Sequence, residues 1–112
     1  MNDLTIKELT KQSHSTAVEK GWWDNDRNFL EQLMLMVTEL AEVAEEYREH
    51  GDLQRSYWGE AGKPEGIASE FADVLIRVAD TCGKYGIPLE EALVTKLAYN
   101  KTRPYRHGGK LA

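Results

Sequence analysis

The stretch from Asp26 to Glu49 places Leu30, Leu33, Val37, Leu40, Ala44 and Tyr47 at steps of 3, 4, 3, 4 and 3. Those steps follow the 3.6-residue turn of an α-helix and draw one apolar stripe along it. Gly51 supplies a natural stop. At ~1.5 Å per residue a helix of this length runs ~36 Å, the breadth of a whole small domain. The rest of a 112-residue chain must therefore arrange itself around that rod.

The remaining segments also read as helices. Ile67, Phe71, Val74, Leu75, Val78 and Cys82 form a second stripe that ends near Gly83 or Gly86. Pro88, a good first-turn residue, opens a third helix with Leu89, Ala92, Leu93, Leu97 and Ala98. A sparser pattern of Ile6, Leu9 and Ala17 marks an N-terminal helix over roughly Asp3–Lys20. No segment alternates apolar and polar residues for long, so strands are not expected. The connection from His50 to Gly66, with four glycines, Pro64, Tyr57 and Trp58, reads as a long loop with at most a short helical turn. The expectation is an all-α, four-helix domain spanning 1–112, with 104–112 as a mobile tail.

Two of these helices are apolar on more than one side. Leu35, Met36 and Val43 lie towards the far side of the long helix from its main stripe, and Ala72, Ile76 and Ala79 widen the arc of the next. So small a chain offers little to cover both faces, which predicts a homodimer or homotetramer with these helices at the interface. Met34, Met36 and Cys82 are assigned to core packing.

Composition narrows the class. Fourteen Lys and Arg against 19 Asp and Glu give a net charge of −5, which argues against a general nucleic-acid binder. The single cysteine, Cys82, has no internal disulfide partner and suits a reducing compartment. The start, MNDLTIKELTKQSH, lacks the basic and apolar segments of a signal peptide, and no apolar run approaches the ~20 residues that span a bilayer. A cytoplasmic location, away from membranes, is expected.

The polar residues that carry most chemistry are two acidic pairs. Glu39 and Glu42 lie in TELAEVAEEYREH, and Glu70 and Asp73 lie in SEFADVLIRVAD. Each pair is spaced i, i+3, so on a helix its members share a face one turn apart. Two facing helices could deliver four carboxylates to one point, and four carboxylates cannot all stay ionised there without cations. Oxygen-only ligands suit hard divalent ions, Mg²⁺ above all, with Mn²⁺ as a substitute. Glu46, one turn beyond Glu42, could serve as an extra ligand or orient a water, whereas Glu45 and Glu49 read as solvated. Arg77, four residues after Asp73, could pair with it. The opposing reading is a non-catalytic helical interaction module whose acidic face binds a basic partner.

The C-terminal end complements the acids. No Asp or Glu follows Glu91, while Lys96, Lys101, Arg103, Arg106 and Lys110 gather there with His107. An acidic centre beside a basic end suits a ligand that carries phosphates and travels with Mg²⁺. Asn100, Lys101 and Arg103, on the last helix or at its edge, are the better phosphate candidates. A base would need a flat apolar surface and a few polar groups, and Trp22, Trp23 and His14 are the best offer. Tyr57 and Trp58 form a second aromatic pair that could act as a lid. The helical di-iron E-x-x-H pattern is absent, the histidines and lone cysteine suggest no zinc site, and GEAGK lacks P-loop spacing, although Lys63 could reach a phosphate.

The ordered pair ELAE … EFAD resembles the signature of the MazG-like all-α nucleoside triphosphate pyrophosphatases. The resemblance extends to KGWWDNDRN, KPEGIASEFADVLIRV and KLAYNKTRPYRHGGK, over most of the chain. It implies a helical subunit in a dimer or tetramer, with Mg²⁺ on Glu39, Glu42, Glu70 and Asp73. It also implies hydrolysis of a nucleoside triphosphate, deoxy or modified ones included, to the monophosphate and pyrophosphate. Related dCTP-directed enzymes carry a His and a Trp near the base, which implies that role for His14 and the Trp22–Trp23 pair. Glu42 or Glu46 would accept the proton of the attacking water.

Overall fold

The computed structural model describes residues 3–25 and 27–112. Asp26, where the sequence pattern begins the long helix, lies outside the described residues. Four helices carry most of the chain: α1 (Ile6–Glu19), α2 (Phe29–His50), α3 (Ile67–Tyr85) and α4 (Leu89–Thr102). A helical turn, Arg106–Gly109, follows within the segment expected to be a mobile tail. Helix accounts for 70% of the described residues, so the all-α reading holds at the level of class. No helix is long and apolar enough to cross a membrane.

Local chemistry sets the ends of the elements. Thr5 caps α1 by accepting from the Glu8 amide at 3.0 Å, and Asn28 caps α2 by accepting from the Glu31 amide at 2.9 Å. Gly51 closes α2 in the left-handed conformation, as its position suggested. The connection read as a loop instead folds into an antiparallel hairpin, β1 (Ser56–Trp58) and β2 (Pro64–Gly66), around a 3₁₀ turn at Glu60–Gly62. Ser56 pairs with Gly66, Tyr57 with Glu65 and Trp58 with Pro64. Three-residue strands are too short to show the alternation that reveals a strand in sequence.

Helix α3 is the hub, packed on one side against α1 and on the other against α2. Its approach to α1 is close: a Cβ at Gly83 would meet Cβ of His14 at 2.7 Å and the Thr10 carbonyl oxygen at 3.2 Å. Helix α4 buries no residue, and its Val94 and Leu97 are exposed.

Within the single chain the long helix buries its second apolar side and not its main stripe. Its inward side is the one with Gln32, Leu35, Met36, Glu39, Val43 and Glu46, all buried or half-buried. The main stripe faces outward, with Leu30 at 70% exposure and Leu33, Val37, Leu40 and Tyr47 exposed beside it. Met34, assigned to the core, is exposed too, whereas Cys82 is buried as expected. The side bearing Glu39, expected to bring its acid to those of the next helix, is the one that packs against α3.

The interior is correspondingly polar. Ala17, Ile67, Ala79 and Cys82 are the buried apolar residues, against buried Ser13, Gln32, Glu46, Glu70, Asp80 and Thr81. The accessible surface is 8793 Å², where a compact monomer of 12.7 kDa would show about 6,200 Å². The Cα radius of gyration is 16.6 Å against roughly 13 Å for a compact chain of this length.

Candidate metal centre and cleft

Helices α2 and α3 bring their acids together. One carboxylate oxygen each from Glu39, Glu70 and Asp73 lie within 4.8 Å of one another. Glu42 stands beside Glu70 and adds its negative charge there. The i, i+3 spacing thus brings both members of the α3 pair to a shared point with Glu39 of α2, while Glu42 stands outside the three-oxygen cluster.

The cluster is poorly solvated. Burial pushes the Glu70 carboxyl above its ordinary value, and the charges of Asp73 and Glu42 push it further. Asp73 is raised by partial desolvation and then by Glu39, although the residue as a whole is exposed. Glu70 Oε2 is buried with no hydrogen-bond partner. Two protein cations answer part of this charge. Arg77 Nη2 donates to Glu39 Oε1 at 2.9 Å, and Lys63, on the hairpin, lowers both Glu70 and Asp73 by its charge. Arg77 thus bonds across to α2 rather than to Asp73 on its own helix; its charge still favours the ionised Asp73.

These residues fit a hard divalent cation. The donor set is oxygen throughout, it comes from two rigid helices, and one of its buried oxygens is unpaired. Glu39, Glu70 and Asp73 would hold the ion, with Glu42 adjoining.

Glu46 sits elsewhere. Its Oε2 accepts from the Tyr57 hydroxyl at 3.1 Å, and its Oε1 lies 3.8 Å from His50 Nε2. His50 contacts Tyr57 at 3.2 Å, and Arg55 donates to His50 Nδ1 at 3.2 Å. Glu46 thus anchors the hairpin to α2, grouped with Glu49 and His50 rather than with the four acids. Burial and the Glu46 hydrogen bond raise the Tyr57 hydroxyl to about 12.

A cleft of about 510 Å³ runs between α1 and α3 from this centre. Glu39, Asp73 and Arg77 line it together with Trp22, Ser13 and Asp80. Trp22 is 57% exposed, and the Arg27 guanidinium lies 5.8 Å from its ring. Trp23 and His14 turn to a shared partner that sequence reasoning missed, since both bond Asp80 Oδ1 at 2.9 Å. A charged residue between Ala79 and Cys82 inside an apolar arc was the available signal for Asp80.

The basic C-terminal candidates are not gathered to the acids within one chain. Arg103 lies over Tyr99 at 5.6 Å, and the cations felt by Glu70 and Asp73 are Lys63 and Arg77, not Lys101 or Arg103. Asn100 and Lys101 sit exposed at the end of α4. No family model, curated protein or solved structure matches the chain.

Proposed function

We propose that this chain is a Mg²⁺-dependent nucleoside triphosphate pyrophosphohydrolase of the MazG-like all-α kind, with Mn²⁺ as an alternative ion. The observation that carries the reading is the convergence of Glu39, Glu70 and Asp73 from two helices, two of them, Glu39 and Asp73, lining a cleft that Trp22 also lines. Glu39, Glu70 and Asp73 would hold the cation, with Glu42 adjoining as the fourth acid of the expected set, and the ion would supply Lewis-acid chemistry to the triphosphate and to water. Arg77 and Lys63 offset charge on the phosphate oxygens, and water attack releases pyrophosphate and the monophosphate. Trp22 offers the base a stacking face.

The acidic-module reading fits less well, because Glu39 and Glu70 turn towards α3 and α2 instead of presenting a face to solvent. The working unit in this proposal is a homodimer or homotetramer. A surplus of about 2,500 Å² over a compact monomer matches what a permanent interface covers, and the outward stripe of α2 is apolar. Asn100, Lys101 and Arg103 remain phosphate candidates in this proposal only if a neighbouring copy supplies them, since within one chain they do not join the acids.

Pyrophosphate release assayed over all ribo- and deoxynucleoside triphosphates tests the activity. Glu70→Ala and Asp73→Ala should abolish turnover with helical circular dichroism intact. Unchanged release in both variants would remove the acids from the reaction.

A further inference from the structure

The cleft has a second polar feature two turns along α3 from the metal centre. Asp80 is 6% exposed, and its Oδ1 takes hydrogen bonds from both His14 Nδ1 and Trp23 Nε1 at 2.9 Å. An indole N–H can only donate, and a carboxylate can only accept, so Nδ1 of His14 carries the proton in this contact. The two rings meet edge-on with centroids 5.9 Å apart, which fixes the carboxylate between them. Oδ1 is thus committed to the protein. Among the described residues Oδ2 has no hydrogen-bond partner, and it is not one of the sealed, unpartnered atoms of the interior. With Asp80 lining the cleft, that oxygen is an acceptor offered to whatever enters.

A carboxylate held this deep gains most from a ligand that brings an N–H. A ligand carbonyl at the same place would meet a fixed negative charge with no donor between them. Trp22, exposed on the wall of the same cleft, offers the π-face on which a heterocycle stacks.

We propose that Asp80 is a specificity-determining residue that reads an exocyclic amine, so the cleft takes cytosine and adenine nucleotides over their keto counterparts, uracil and hypoxanthine. The base lies against Trp22 and its amine donates to Asp80 Oδ2. This inference rests on the reading of the site as a nucleotide site, but it is independent of whether the phosphates are cleaved.

The test uses binding and turnover separately. Quenching of tryptophan fluorescence by cytidine and uridine 5′-monophosphates, and by adenosine and inosine 5′-monophosphates, is measured on the whole protein. The expected result is at least tenfold tighter binding of the amino member of each pair. Asp80→Asn keeps an acceptor for His14 and Trp23 but replaces Oδ2 by an amide donor, so it should erase or invert the preference. Trp22→Ala should weaken both members of a pair alike and leave their ratio unchanged. Equal binding of the amino and keto members by the unaltered protein overturns the proposal, as does no binding of either, whatever the variants do. Triphosphate hydrolysis without amino-over-keto preference overturns this inference and leaves the hydrolase reading standing. Amino-selective monophosphate binding without any hydrolysis does the reverse.

Discussion

Arg77 on α3 donates from Nη2 to Glu39 Oε1 on α2 at 2.9 Å, so a protein cation lies against one of the carboxylates that would hold a metal ion. The pair is partly shielded, which makes it worth more than an exposed ion pair and exposes Glu39 to a penalty when it is broken. Arg77→Ala should therefore lower the melting temperature of the metal-free chain by several degrees. It should also tighten Mg²⁺, roughly tenfold for about 1.4 kcal/mol of removed competition. Isothermal titration of both proteins checks this, and weaker Mg²⁺ binding by the variant would show that Arg77 assists the ion instead of competing with it.

Glu70 and Asp73 make the metal-free protein sensitive to pH. Both carboxyls are raised in the folded chain from ordinary values of 4.5 and 3.8, chiefly by burial. The folded state therefore binds their protons more tightly than the unfolded state does. Their contribution to stability is full below those ordinary values and is lost as pH rises through the raised ones. Melting in a chelator should accordingly fall as pH climbs upward from about 4. Mg²⁺ needs the deprotonated acids, so the rise in melting temperature that it produces should grow over the same window.

Glu70→Gln separates stability from function. It removes a buried charge whose Oε2 has no partner, a feature that costs about 1–3 kcal/mol in other proteins. The metal-free variant should melt higher than the parent at neutral pH, by several degrees. It should at the same time lose Mg²⁺-induced stabilisation and turnover. A variant that melts lower in chelator would mean that the Glu70 carboxylate is satisfied in solution.

Tyr57 ties the hairpin to α2 through Glu46. Tyr57→Phe keeps the ring but leaves Glu46 Oε2 without its donor, so the melting temperature should fall by a few degrees. The Tyr57 hydroxyl is raised to about 12, so its share of stability is full below its ordinary value of 10.0 and is lost as pH rises through about 12. Ultraviolet difference spectra should show one tyrosine fewer ionising at high pH in the parent than in unfolded chain. Lys63 rides on the same hairpin, so Tyr57→Phe should also raise KM.

The outward stripe of α2 predicts assembly. Leu33→Asp with Leu40→Asp places two charges on it, at residues already exposed in the single chain. Light scattering at micromolar concentration should give a multiple of 12.7 kDa for the parent and a monomer for the double variant. A parent that scatters as a monomer would end the oligomeric reading.

Much of this was legible in the chain. The 3, 4 spacing located α2 and α3, and the i, i+3 acids named the members of the cluster, because helical phase alone decides both. Phase does not say which side of α2 faces inward. Hydrophobicity favoured Leu30, Leu33 and Val37, yet the side bearing Gln32 and Glu46 packs within the chain. The proposed assembly would account for that inversion, since a stripe covered by another copy is apolar in sequence and exposed in the single chain. The pairing of Asp80 with His14 and the Glu46–Tyr57 contact were hidden for another reason: each joins residues of different elements, and no local pattern encodes the pairing.

Asp73 and Asp80 stand on one uninterrupted helix, seven residues apart, which sets them about 10.5 Å from each other along its axis. A helix does not stretch, so under the proposed reading the two acids would act as the jaws of a fixed gauge. Only a molecule long enough to bridge them would be gripped at both ends. Cutting it between the jaws would leave two pieces that each touch one, and both would then be free to depart.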